Sequence, residues 1–404
     1  METCSYAAVS RRKFLVGASV FASWAVMPKA GFAGTRDPRF VVVILRGALD
    51  GMAAVAPIGD PNYRALRAAL ALGEAGKDVL PLSDGFFALN EAMPRLHQRY
   101  LQRQALIVHA VATAYRERSH FDGQNVLETG LSGPDSTAAS GWLNRVASAL
   151  PAGKPIRTAA SLAIGPTVPM ILTGPAGTLT WAPQSFRPAG EDTAMRLASL
   201  YGETDPQLAK VLSEGLETDR MMGQGHFDVG KGEARAFRLL ANGAAKLLAE
   251  PDGPRLATIS YEGWDTHVKE GADHGRLAKL LTALDLSLAD MATTLGRAWN
   301  DTVIAIVTEF GRTAWVNGND GTDHGTATTA FLLGGAVKGG RVVTDWPGLR
   351  KADLQDGRDL KPTTDLRAVF KGILRDHLGL SEQVLARDIF PGSQAVKPLH
   401  DLVI

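Results

Sequence analysis

Asp50, the pair Ser119-His120, the run Glu262-x-x-Asp265-x-His267, Glu309 and the pair Asp323-His324 are the residues whose types and settings could do chemistry in this chain. Carboxylate oxygens and imidazole nitrogens in such a mixture suit zinc, manganese or another divalent ion. Two such ions can clamp the attacking and leaving oxygens of a phosphate or sulfate ester. Arg116, Arg118 and Arg312 add planar guanidinium groups able to hold anionic oxygens bidentately. Each piece alone is weak. An Asp after a strand is usually a turn former or a helix cap. His267 also fits a solvated loop, with Thr266 capping the helix that follows, and Asp273-His274 fits the polar start of that helix. Arg312 is equally at home paired with a surface acid. His97, His109, His226, His377 and His400 have no acidic or glycine-rich setting and read as structural.

The joint pattern gains weight from the elements that must position these residues. Five short apolar, β-branched runs read as strands buried on both faces: Phe40 to Leu45, Ala105 to Ala110, Leu256 to Tyr261, Thr302 to Thr308, and Ala330 to Leu333. Helical patterns lie between them. The clearest runs from Arg276 to Trp299, with Leu277, Leu280, Leu281, Leu284, Leu288, Met291 and Leu295 on one stripe. Others cover Thr193 to Tyr201, Ala234 to Leu248, the stretch from Ser119 or His120 up to Gly130, and a last helix from Thr364 or Asp365, with Asp365 as cap. Strands alternating with helices imply an α/β fold with a largely parallel sheet, whose ligands sit beyond the carboxyl ends of the strands. Four of the candidate groups follow a strand. His324 precedes one, so it joins them only if the strand from Ala330 runs antiparallel to its neighbours, a common exception.

The N-terminus carries a different message. Ser10-Arg11-Arg12-Lys13-Phe14-Leu15 opens an apolar run that closes at Pro28-Lys29, and small residues at 31 and 33 follow. Paired arginines, a short apolar run and a cleavage site in that order predict a twin-arginine export signal over residues 1–33. The mature chain, 34–404, is expected to be a single domain in the periplasm or beyond, with the twin-arginine translocase as its partner during export. The only cysteine, Cys4, lies in the signal, which excludes disulfides and thiolate ligands from the mature chain. The signal holds four of the 43 basic and one of the 42 acidic residues, leaving 39 and 41, a net of −2. That balance offers no footprint for nucleic acid or an anionic membrane, and no later run is long enough for a stable membrane anchor.

The runs LRGALDG, RSHFDGQNVLETG, GWDTH, TEFGRT, GTDHGTATTAFLLGGAVKGGRV and TTDLRAV resemble domain-of-unknown-function family 1501 over nearly the whole mature chain. That family looks like a distant branch of the alkaline phosphatase and sulfatase superfamily. The resemblance implies an alkaline-phosphatase-like three-layer α/β sandwich with at least one antiparallel strand. It also implies one or two divalent ions (zinc, manganese, magnesium or calcium) and a small anionic ester as substrate. By position, Asp50 resembles the first metal aspartate. Ser119, or His120 beside it, falls at the nucleophile; counting back from Gly130 favours His120 and chemistry favours Ser119. Glu262, Asp265 and His267 resemble the ligands of one metal. Glu309 sits where the superfamily has an Asp-His pair, and His324 resembles the last metal histidine; in a rival alignment Asp323-His324 is itself that pair. Arg312 is expected to bind the anionic group. Two departures stand out: Phe310 replaces an expected histidine, and the sulfatase formylglycine motif is absent. A metal-dependent hydrolase of phosphate, sulfate or phosphonate esters and a non-catalytic binding or assembly module on the same fold are therefore both expected readings. A redox enzyme ranks behind them, for want of a dinucleotide loop, a haem motif or a copper ligand set.

Overall fold

The computed structural model describes residues 36–404 apart from 74–77, 84, 151–160, 166 and most of 183–232. The export signal, His226 and nearly all of the helix expected from Thr193 lie outside the described residues. Asp37–Ile404 forms one compact unit.

A mixed sheet runs through its centre. In chain order its strands are β1 (Arg39–Leu45), β2 (Ala105–Ala112), β3 (Ser161–Ile164), β4 (Thr178–Trp181), β5 (Leu256–Tyr261), β6 (Thr302–Val307), β7 (Thr328–Leu333), β8 (Val342–Val343) and β9 (Thr364–Asp365). Across the sheet the order is β8-β2-β7-β6-β1-β5-β3-β4, with β9 also on β2. The apolar runs are continuous because both faces are covered. Alternation then divides each strand between two cores: Val41, Val43, Leu45, Ile304 and Ile306 face one, and Phe40, Val42, Ile44, Val303 and Ala305 face the other. The first core is closed by helices α1 (Pro94–Leu101), α3 (Glu233–Ala249) and α4 (Arg276–Leu295). The second is closed by Trp142, Leu143 and Val146 and by α5 (Leu366–Asp376), capped by Asp365 as expected. Helix α2 (His120–Thr129) follows β2, with Ser119 as N-cap and Gly130, left-handed at φ 71°, as C-cap. The three layers are those anticipated from the sequence.

Strand direction decides the site. β1 pairs in parallel with β5 and β6, while β7 runs antiparallel to both β6 and β2. The segment entering β7 therefore lies at the same end of the sheet as the segments leaving β1, β2, β5 and β6, and His324 reaches their company. Two boundaries differ from expectation. The long helix stops at Leu295 because Gly296 turns left-handed at φ 52°, and a 3-10 turn carries Trp299 into the core. β3 and β4 are only four residues each, too short to stand out as periodic runs.

His109 on β2 is fully buried against Phe87 and Trp346, its Nε2 facing the Val55 carbonyl and its Nδ1 accepting from the Ala110 N–H. Burial lowers its pKa from 6.5 to about 4, against the pull of the Val55 carbonyl. The unfolded chain binds this proton first, so stability falls as pH drops from about 6.5 to 4, by about 3 kcal/mol at the lower limit. Denaturation at pH 7 and pH 4.5 should show that loss, and His109→Gln should flatten it; an equally steep decline in the variant would clear His109 of the effect.

Candidate metal centre

Four donor atoms meet at the carboxyl end of the sheet. His324 Nε2 lies 2.9 Å from His120 Nε2 and 2.9 Å from His267 Nε2. Asp265 Oδ1 lies 3.0, 3.3 and 3.6 Å from the Nε2 atoms of His267, His324 and His120. His120 opens α2, Asp265 and His267 follow β5, and His324 enters β7.

The opposite nitrogen of each ring explains the arrangement. His120 Nδ1 faces Glu309 Oε1 at 2.9 Å, His324 Nδ1 faces the Arg118 carbonyl at 2.9 Å, and His267 Nδ1 faces Asp323 Oδ1 at 3.3 Å. All three neighbours are acceptors, so each Nδ1 carries the ring proton and each Nε2 presents a lone pair. One proton can bridge one Nε2–Nε2 contact; the other leaves lone pair against lone pair beside a carboxylate. A cation at the centre removes that conflict. Ligands about 2.0–2.1 Å from a tetrahedral zinc ion stand roughly 3.3 Å from one another, a value inside the observed spread. His120, Asp265 and His324 each offer an atom within 4.8 Å of the others, a donor set able to hold one borderline divalent ion, with His267 beside it.

Electrostatics acts differently on the separate donors. The hydrogen bond to Glu309 raises the pKa of His120 against the effect of burial. Burial opposes ionisation of Glu309, but His120, Gln124 and Thr308 outweigh it and hold the carboxylate charged. Burial likewise works against Asp265, and the Arg312 guanidinium prevails and lowers its pKa. His324 is shifted down, by burial first and by His120 second.

The other expected site residues lie elsewhere or act differently. Asp50 is not brought into this cluster: its carboxylate caps the short helix Gly51–Ala54 and pairs with fully buried Arg67. Glu270 belongs to this second cluster, accepts from Thr322 Oγ1 at 2.8 Å, and is pushed up to about 8 by burial and by Asp50. Glu262 is mostly exposed and meets Arg46 at 3.5 Å. Ser119 spends its hydroxyl on the N-cap, accepting from the Asp122 N–H, so of the pair it is His120 that enters the cluster. Glu309 and Asp323 stand behind ligands and orient them. Arg312, expected to bind the anionic group, is buried, and it donates to the carbonyls of Gly47, Ala48, Trp264 and Thr322 and to Asp265 Oδ1 at 2.6 Å, which commits its Nε and Nη2 to the protein. Arg116 turns back onto the Thr113 and Tyr115 carbonyls, and Arg118 pairs with Asp356 and Asp359. Phe310 lays its ring 5.0 Å from His120 and 5.3 Å from His324, an apolar wall where a histidine was expected.

Glycines let these segments close up. Gly47 has φ +117°, and a Cβ there would stand 2.5 Å from the Asp265 nitrogen. Gly47→Ala should displace Asp265, lower stability by about 1–3 kcal/mol through backbone strain, and reduce bound metal in elemental analysis. Full metal content in a destabilised variant would show that Asp265 is held independently of this turn.

No curated protein matches the chain. Among solved structures it is similar to a sulfatase from Pseudoalteromonas sp., with 11% identity over 97% of this chain and 75% of that one and a TM-score of 0.41. It is similar to the C-terminal periplasmic domain of EcEptC from Escherichia coli, with 11% identity, coverages of 90% and 88% and a TM-score of 0.42. A phosphonate monoester hydrolase of Agrobacterium radiobacter gives 14% identity, coverages of 85% and 74% and a TM-score of 0.35. The model of one family matches residues 37–389, and the chain belongs to that family, described as Protein of unknown function (DUF1501).

Proposed function

We propose that this protein is an exported hydrolase of phosphate or related esters that depends on a single divalent ion held by His120, Asp265, His267 and His324. The observation that carries the reading is the convergence of three imidazole lone pairs and one carboxylate at the ligand-binding end of an α/β sheet. Three imidazoles select a borderline ion such as zinc over magnesium or calcium. When bound, such an ion supplies Lewis acidity toward an ester oxygen. The chain's own residues do the rest. Glu309 holds the His120 ring by its Nδ1 proton, Asp323 does the same for His267, and Arg312 keeps Asp265 ionised and in place. Phe310 shields the inner side of the centre from water. The first turn of α2, starting at His120, presents N–H groups that favour an anion beside the cluster.

One observation favours a second reading. Four protein donors would close a tetrahedral shell, as in structural sites, and Arg312 is buried and turned onto the protein. Zinc-loaded protein assayed with aryl phosphate, phosphonate and sulfate esters separates the two. Turnover that disappears together with the metal in Asp265→Ala supports the hydrolase. Stoichiometric zinc with no turnover on any of the three classes supports a non-catalytic binding module on the same fold.

Export is part of the proposal and has its own test. Arg11→Lys with Arg12→Lys should leave the chain uncleaved inside the cell, whereas the unaltered chain should be recovered from the periplasm beginning near Gly34. Normal processing of the double variant would point to another route.

A further inference from the structure

The contact between His324 Nδ1 and the Arg118 carbonyl rests on an unusual backbone. Arg118 has φ 67°, in the left-handed region that side chains with a Cβ avoid. It lies outside α2, before the N-cap, so helix geometry does not impose this conformation. Its side chain supplies a reason. Arg118 Nε and Nη2 lie 2.9 and 2.8 Å from Asp359 Oδ2, and Nη2 also reaches Asp356 Oδ2 at 3.1 Å. Asp359 is fully buried and is itself held in place: Asp359 N donates to Gln355 O at 3.0 Å and Gln355 N to Asp359 O at 2.9 Å. The same Oδ2 accepts from Thr326 Oγ1 at 2.8 Å, and Thr326 lies two residues beyond His324. Both partners of the His324–Arg118 hydrogen bond are therefore tied to one buried carboxylate.

We propose that Asp359 is a positioning residue that, by clamping Arg118 in its left-handed conformation, fixes His324 as the Nδ1–H tautomer with Nε2 free to bind a metal. The tautomer assignment stands on the protein alone, and its consequence for metal affinity rests on the centre proposed above. Asp356 and Arg358 are the other charged groups facing Asp359 and Arg118, and Arg358 Nη1 takes the opposite carboxylate oxygen, Oδ1, at 3.0 Å. The clamp therefore acts through Oδ2.

The test uses Asp359→Asn, Arg118→Ala and Arg118→Gly in the mature protein. Imidazole nitrogen NMR on metal-free protein reads the tautomer, and a cobalt(II) titration reads affinity. Arg118→Ala should release the left-handed residue, mix the His324 tautomers and weaken cobalt binding about tenfold, as loss of an outer partner does. Asp359→Asn should do the same. Arg118→Gly should lie closer to wild type than Arg118→Ala, because glycine keeps the backbone conformation without the clamp. A single His324 tautomer and unchanged cobalt affinity in Arg118→Ala, whatever its thermal stability, would overturn the proposal, as would equal losses in the alanine and glycine variants. Tautomer mixing in protein that binds no cobalt even as wild type would uphold the clamp and remove the metal centre.

Discussion

At the proposed centre, His324→Ala is expected to abolish binding of a divalent ion. His324 Nε2 is the hub of the cluster, within 2.9 Å of both other ring nitrogens and 3.3 Å of Asp265 Oδ1. Structural zinc bound by four protein ligands is worth about 10–16 kcal/mol. One ligand in four then represents roughly 3–4 kcal/mol, a weakening of about 100- to 1,000-fold. Competition against a chromophoric chelator measures it directly. Asp323→Ala is the control. Its carboxylate is exposed and meets the outer nitrogen of His267 and the side-chain amide of Asn317, not the centre itself, so its loss should weaken binding about tenfold or less. Equal effects of the two substitutions, or an affinity in His324→Ala within about threefold of wild type, would mean that the four donors do not act as one centre.

This centre was partly legible in the sequence, for reasons that differ residue by residue. β-branched runs and a single long amphipathic stripe are local signals, so β1, β5, β6 and α4 emerge within a few residues of their observed limits. His324 could be placed because chain direction constrains it: a ligand before a strand works only if that strand is antiparallel, and β7 is. His120 against Ser119 was a question of helix phase. Gly130 fixes the end of α2, and ten positions before it lies His120, with Ser119 left as the cap. Whether a polar group touches the metal or stands behind a ligand has no local signal. Glu309 and Asp265 are both carboxylates after strands; which one meets an Nε2 and which an Nδ1 depends on ring orientations set by residues 56 to 206 positions away. The setting of Asp50 lacks a local signal for the same reason. Its partner Arg67 and its neighbour Glu270 come from separate segments, and only the folded packing reveals a buried ion cluster in place of a metal ligand.

Arg312→Met is the sharpest check on what Arg312 does, because two roles predict opposite outcomes. A guanidinium that bound substrate would face a cavity, and its replacement would spare the fold while lowering affinity for an anion. The observed group instead ties four carbonyls and Asp265 together across the segments following β1, β5 and β6. Methionine keeps most of the volume and none of the donors. It leaves four buried carbonyls without that donor and half-exposed Asp265 without its cation, and at about 1 kcal/mol or more for each stranded acceptor the loss is about 3–5 kcal/mol. Against a total stability of about 5–15 kcal/mol that is a large fraction. For a chain of this size it corresponds to a fall in Tm of roughly 4–6 °C. Lysine should recover little, since a single ammonium on a flexible stem cannot span acceptors arranged for a planar fork. Zinc affinity should fall in step, because Asp265 loses the group that keeps it ionised and aimed. A methionine variant with wild-type Tm would return Arg312 to the role of an anion-binding residue, and the carbonyls around it would then have to be satisfied by water.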